Sequence, residues 1–94
     1  MSAKDQTGKV LAQLRSRWPE VRIAAIDALE RAGVEGAALR DAAMREKNDV
    51  VLAAICEALM DCGDKDSIPV LKKLARTHAS ALVRRRLDRL RGHI

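Results

Sequence analysis

The sequence predicts an all-α solenoid built from three two-helix repeats, and three observations support this prediction. Residues 21–33, VRIAAIDALERAG, return as residues 51–63, VLAAICEALMDCG, with valine, alanine, leucine and glycine at matching positions. Apolar residues recur at helical spacing in a chain that contains one Trp and no Phe or Tyr. Its 94 residues are 48% hydrophobic and 33% charged, which is typical of one folded domain. We therefore expect a single domain over residues 1–94 with about six helices.

The first predicted repeat covers about residues 4–33. In it KVLAQLRSRW leads to PEVRIAAIDALERAG, and Pro19 suits the first turn of the second helix. Trp18 occupies the preceding cap position and cannot cap the helix by a side-chain hydrogen bond. We expect its ring to pack at the turn as a hydrophobic staple or lid.

The second predicted repeat covers about residues 36–63 and the third about residues 66–94. GAALRDAAMREKN leads to DVVLAAICEALMDCG, and SIPVLKKLARTHA leads to SALVRRRLDRLRGHI. Asn48 and Ser80 are the predicted N-caps, while Gly33 and Gly63 follow helices as left-handed residues usually do.

Alignment of the second helices tests the repeat. An inward stripe of twelve apolar residues results: Val21, Ala25, Ala28 and Ala32; Val51, Ile55, Ala58 and Cys62; Val83, Leu87, Leu90 and Ile94. A neighbouring stripe changes from apolar to polar in the third copy: Ile26 and Leu29, then Cys56 and Leu59, then Asp88 and Arg91. Since that face packs on the next repeat in a stack, we expect no fourth repeat and an array capped at both ends.

PEVRIAAIDALERAG and SIPVLKKLART resemble the two helices of HEAT repeats, specifically the short HEAT-like class first noted in phycobilin lyase subunits. The resemblance covers nearly the whole chain. It is carried also by Pro69 and by the pairs Val21-Arg22 and Val83-Arg84. The resemblance implies a right-handed stack whose second helices line a concave face, usually used for protein recognition.

The middle copy departs from the family pattern, because Val51 is followed by Leu52 rather than by arginine. Family members also often have an aspartate in the inter-helix turn that pairs with such arginines. Trp18 and Ser80 replace it at two of the turns here, so we do not expect a ladder of Asp and Arg between repeats.

The outward stripe of the second helices supplies the candidate partner-binding residues: Ile23, Asp27, Glu30, Arg31, Glu57, Met60, Asp61, Arg85 and Arg89. Residues 1–63 contain nine Lys or Arg and ten Asp or Glu, a net charge of −1, whereas residues 64–94 contain nine against three, a net charge of +6. We expect the acidic residues to face positive partner groups, the two arginines of the third repeat to face negative ones, and Ile23 and Met60 to anchor apolar contacts.

Three hypotheses of function follow, and the first is a small protein–protein interaction or scaffold module with another protein as its partner. The second is binding of nucleic acid or another polyanion through the basic third repeat. A solvated end cap explains the same charge, and the one aromatic residue, Trp18, lies outside that repeat. The third, suggested by the family resemblance, is an accessory subunit of a lyase-type enzyme.

The sequence shows no catalytic or metal-binding motif. No nucleophile has an adjacent base, no glycine-rich phosphate loop occurs, and His78 and His93 give no recognisable ligand spacing with the cysteines. We expect no enzymatic activity, no metal and no cofactor, with Cys56 and Cys62 as buried reduced thiols. The longest apolar run is too short to span a bilayer, so we expect a cytoplasmic monomer without membrane contact.

Overall fold

The computed structural model describes residues 3–33, 36–63, 65–78 and 80–88, with side chains from residue 8 onward. These residues form six α-helices and one 3₁₀-helix: α1 Ala3–Gln13, α2 Pro19–Arg31, α3 Gly36–Arg45, α4 Asp49–Cys62, the 3₁₀-helix Lys65–Ser67, α5 Ile68–Thr77 and α6 Ala81–Leu87. The described residues contain no strand, which confirms the all-α prediction.

Helix α4 is the centre of the fold. It packs against α2, α3 and α6, while α1 packs on α2 and α5 packs on α6. The most deeply buried α4 side chains are at most 2% exposed: Val51, Leu52, Ile55, Cys56, Ala58 and Leu59. One continuous core extends from Leu14 to Leu87, and the molecule is elongated, measuring 41 × 26 × 16 Å. Consecutive helices therefore pair, and the second helix of each pair packs on the next second helix.

The predicted inward stripe is buried where neighbouring helices cover it. Ala25, Val51, Ile55, Ala58, Val83 and Leu87 are buried, whereas Val21 and Ala28 are half-buried. Ala32 and Cys62 are exposed, so the predictions that they are buried were wrong. Both lie at the end of a second helix, beyond the reach of the packed neighbours, and Leu90 and Ile94 lie outside the described residues.

The neighbouring stripe behaves as predicted in its described part. Ile26, Leu29, Cys56 and Leu59 are at most 3% exposed and form the buried seam along the second helices, where α2 packs on α4 and α4 packs on α6. Asp88, which takes the equivalent position in the third copy, is exposed. Arg91 lies outside the described residues.

The helix ends follow the predicted chemistry. Asn48 Oδ1 accepts hydrogen bonds from the N–H groups of Val50 and Val51, and Ser80 Oγ accepts one from Val83 N–H. Gly33 and Gly63 have φ angles of 68° and 67°, in the left-handed region that favours glycine.

The first helix differs from its predicted bounds, since α1 ends at Gln13 and a turn follows it. Leu14, not Trp18, supplies the buried apolar contact at this turn. The Trp18 side chain is 52% exposed, and the Arg17 guanidinium lies 4.7 Å from the centre of its ring. The expectation that Trp18 acts as a staple or lid was therefore wrong.

Arg22 joins the first helix pair to the second. Its Nε and Nη2 atoms donate to Glu46 Oε1 and Oε2 at 2.8 and 3.0 Å, and its Nη1 donates to the Ser16 carbonyl at 2.7 Å. Glu46 also accepts from the N–H of Asn48. The sequence predicted no such bridge, because the carboxylate comes from Glu46, which directly follows α3 in the next helix pair.

Arg84 occupies the position equivalent to Arg22 and makes one equivalent bond. Its Nη1 donates to the His78 carbonyl at 2.7 Å, in the turn before its own helix. In α4 the same position is Leu52, which is buried in the core. The valine-arginine pairs thus fasten the second helix to the preceding turn in the first and third copies.

Candidate partner-binding groove

Helices α2 and α4 leave an open groove of about 500 Å³ between them. Its lining residues are Glu20, Ile23, Ala24, Ile26, Asp27, Glu30, Ala54, Glu57, Ala58 and Asp61. Five of these ten residues are carboxylates and the other five are apolar. Among the described residues that line the groove, none is positively charged.

Helical spacing explains why these residues share one groove. On α2 the lining residues at 20, 23, 24, 27 and 30 recur at intervals of three or four, with Ile26 beside them, and on α4 the lining residues recur at 54, 57, 58 and 61. Such intervals place side chains on one face of a helix. Ala24, Ala54 and Ala58 are small, which leaves room between the helices, while the buried seam below fixes their separation.

Negative charge concentrates at one end of the groove. Burial raises the pKa of Glu30, and so do the hydrogen bond with Asp61, the Asp61 charge and the charges of Asp27 and Glu57. The carboxyl group of Glu30 therefore lies within electrostatic range of three other carboxyl groups. An arrangement of this kind attracts a cationic ligand and repels an anionic one.

The helix dipoles add to this negative potential. Glu30 lies near the C-terminal end of α2 and Asp61 near that of α4, where the backbone already carries partial negative charge. The last turn of α2 contains Arg31, but that of α4 contains no basic residue. Negative charge at the C-terminal end of a helix is unfavourable for the helix itself.

Two arginines approach the groove from its rim. Arg31 forms an ion pair with Asp27 on its own helix, and Arg86 of α6 donates to Glu57 at 3.1 Å. Both pairs are exposed to solvent, so each contributes little to stability and a partner can displace it at small cost.

The structure brings together five of the nine predicted binding residues. Ile23, Asp27, Glu30, Glu57 and Asp61 line the groove. Ile23 is half-buried and packs against the core, so only part of its surface is open to a partner.

The other predicted residues are not part of this lining. Arg31 and Arg85 are exposed, and Met60 is half-buried against the core. Arg89 lies outside the described residues. The α6 arginine that reaches the groove wall is Arg86, which the sequence analysis did not select.

Half of the lining was not predicted from the sequence: Glu20, Ala24, Ile26, Ala54 and Ala58. A signal for two of them was present, because Ala24 and Ala54 take the same position in the aligned copies and both are small. Ile26 was assigned only to the contact between helices, although its edge reaches the groove.

Other kinds of site find no support in the described chain. No group of three or more His, Cys, Asp or Glu side chains among the described residues is arranged to hold a metal ion. No described helix has both the length and the apolar character needed to cross a membrane.

Paired helices stacked through their second members define the α-solenoid class of proteins. The family model for HEAT repeats matches residues 8–90, and the chain belongs to the HEAT-repeat family. HEAT repeats generally mediate protein–protein interaction or scaffolding and are typically non-enzymatic. Comparison with curated proteins and with solved structures gives no match.

Proposed function

We propose that this protein is a small interaction module that binds another protein along the surface of its second helices. The observation that carries the proposal is the open groove between α2 and α4, which combines apolar and charged residues in a family whose repeats generally bind proteins. Clefts of roughly 300–1,000 Å³ are typical of ligand sites.

The module works by rigid presentation. Ile26 and Leu29, the α2 part of the buried seam, lie in one core with α4, which packs against α2, so the groove walls are held before a partner arrives. A preformed surface lowers the entropy lost on binding. We assign the protein no catalytic step and no cofactor, and we place it in the cytoplasm as a monomer.

A second candidate function is polyanion binding by the third predicted repeat. The exposed cations there are Lys72, Lys73, Arg76, Arg84, Arg85 and Arg86. Two of them have local roles, since Arg84 bonds the His78 carbonyl and Arg86 bonds Glu57. The described part of this repeat contains no Trp, Tyr or Phe side chain on which a base can stack. We therefore place this function second.

Affinity capture from a lysate of the source organism separates the two candidates. Three baits are compared, each with and without nuclease. They are the wild type, a groove variant with Glu30→Lys and Asp61→Lys, and a third-repeat variant with Arg85→Glu and Arg89→Glu. We expect a discrete protein that survives nuclease and is lost with the groove variant. Capture of nucleic acid that requires the two arginines and disappears with nuclease would transfer the function to the third repeat.

A further inference from the structure

We infer that the α2–α4 groove takes a basic amphipathic segment of the partner protein, with Lys or Arg side chains over its carboxylates and small apolar side chains over its alanines. The inference rests on the proposed function and specifies the chemistry of the partner.

Charge complementarity identifies the sign of the partner segment. Five carboxylates and no described cationic side chain line the groove, and the Arg31–Asp27 and Arg86–Glu57 pairs on its rim are exposed to solvent. The lining is therefore negative, and two of its carboxylates, Glu30 and Asp61, lie at the negative ends of helix dipoles. An acidic segment would meet repulsion along the whole groove, so the same charges also exclude wrong partners.

The contact between Arg86 and Glu57 shows that an arginine on a neighbouring helix can reach the carboxylates of the groove. Arg86 extends from α6, which packs beside α4, and its Nη1 lies 3.1 Å from Glu57 Oε2. A guanidinium from a helix next to α4 can therefore contact the groove wall. A partner segment lying over the groove can make the same contact with the other carboxylates.

The apolar lining distinguishes an amphipathic segment from a simple polycation. Ala24 is exposed, and Ile23 and Ala54 are half-buried along the groove. A ligand that carried only charge would leave this apolar surface in water, whereas small apolar side chains would cover it. The same feature separates the site from a metal site, which the described residues do not form.

Fluorescence anisotropy with defined peptides tests the inference. The probe is a short fluorescein-labelled helical peptide of Lys, Leu and Ala, and the matched control peptide has Glu in place of every Lys. We expect the full-length protein to bind the basic peptide and not the acidic one. Equal binding of both peptides, or binding of neither, would overturn the inference.

Protein variants locate the binding. Glu30→Gln with Asp61→Asn removes two groove charges while keeping side-chain shape, and it also removes repulsion, so this variant should fold. We expect its affinity for the basic peptide to fall about tenfold. Asp41→Asn with Asp66→Asn makes the same charge change at exposed positions off the groove and should keep wild-type affinity. Equal losses in both variants would show nonspecific attraction and contradict the inference.

Two further results separate this inference from the proposed function. If the basic peptide does not bind but lysate capture still yields a partner that depends on the groove, the inference fails and the proposed function stands. Sedimentation of the wild type tests whether the basic third repeat of a second copy of this protein occupies the groove. Self-association that disappears in the Glu30→Gln, Asp61→Asn variant would overturn the assignment to a partner protein.

Discussion

Removal of Arg22 should destabilise the protein far more than removal of a surface arginine. In Arg22→Ala, Glu46 loses both guanidinium bonds although its side chain is only 7% exposed, and the Ser16 carbonyl loses its donor. Breaking a buried ion pair costs about 3–5 kcal/mol. Since the Arg22 side chain is 17% exposed and water can reach it, we expect a loss of about 3 kcal/mol in the free energy of unfolding.

Urea denaturation followed by far-UV circular dichroism measures this loss. At about 4–8 °C per kcal/mol for a domain of this size, the melting temperature in a thermal scan should fall by roughly 12–24 °C. Arg45→Ala is the matched control, because its pair with Asp41 is 37% and 65% exposed and should contribute only about 0.3–0.5 kcal/mol. Equal losses in the two variants would refute the structural role of Arg22. A substantial coupling energy in a double-mutant cycle with Glu46→Gln would support it.

Three other predictions concern single residues. The folded-state pKa of Glu30 is raised, so its carboxylate opposes folding at neutral pH and ceases to do so as the pH falls through that pKa. Glu30→Gln should therefore raise the free energy of unfolding by about 0.2–0.5 kcal/mol at neutral pH. An equal gain at acidic pH would contradict this cause. Cys62 is exposed, whereas Cys56 is buried and burial raises its pKa to about 11. A thiol reagent should therefore modify Cys62 rapidly and Cys56 only after unfolding. Fast modification of both thiols would refute their placement. Gly63→Ala should cost about 1–2 kcal/mol because φ is 67°, although no atom blocks the added methyl group; unchanged denaturation would contradict that strain.

Local sequence patterns predicted most of the helices, because their signals lie within a few residues. Pro19, Asn48 and Gly63 mark helix ends through backbone chemistry that needs no distant partner. Periodicity predicted the buried seam for the same reason. Periodicity shows which face of a helix is buried. It does not show how far along that face the neighbouring helix extends, and Cys62 was therefore wrongly predicted to be buried.

The groove was only partly predictable. Asp27, Glu30, Glu57 and Asp61 were found because they face outward at regular spacing. The bridge between Arg22 and Glu46, and the reach of Arg86 to Glu57, depend on how separate helices pack. A repeat alignment compares equivalent positions, whereas these contacts join positions that are not equivalent.

Photocrosslinking in lysate tests directly whether the second helices form the binding surface. A benzoylphenylalanine residue is placed at Ala24 on the α2 side of the groove or, as a matched control, at Ala37 on α3; both alanines are exposed. We expect the Ala24 position to capture a discrete protein and the Ala37 position to capture none. Capture of the same protein from Ala37 but not from Ala24 would place the binding surface on the first helices and contradict the proposed function.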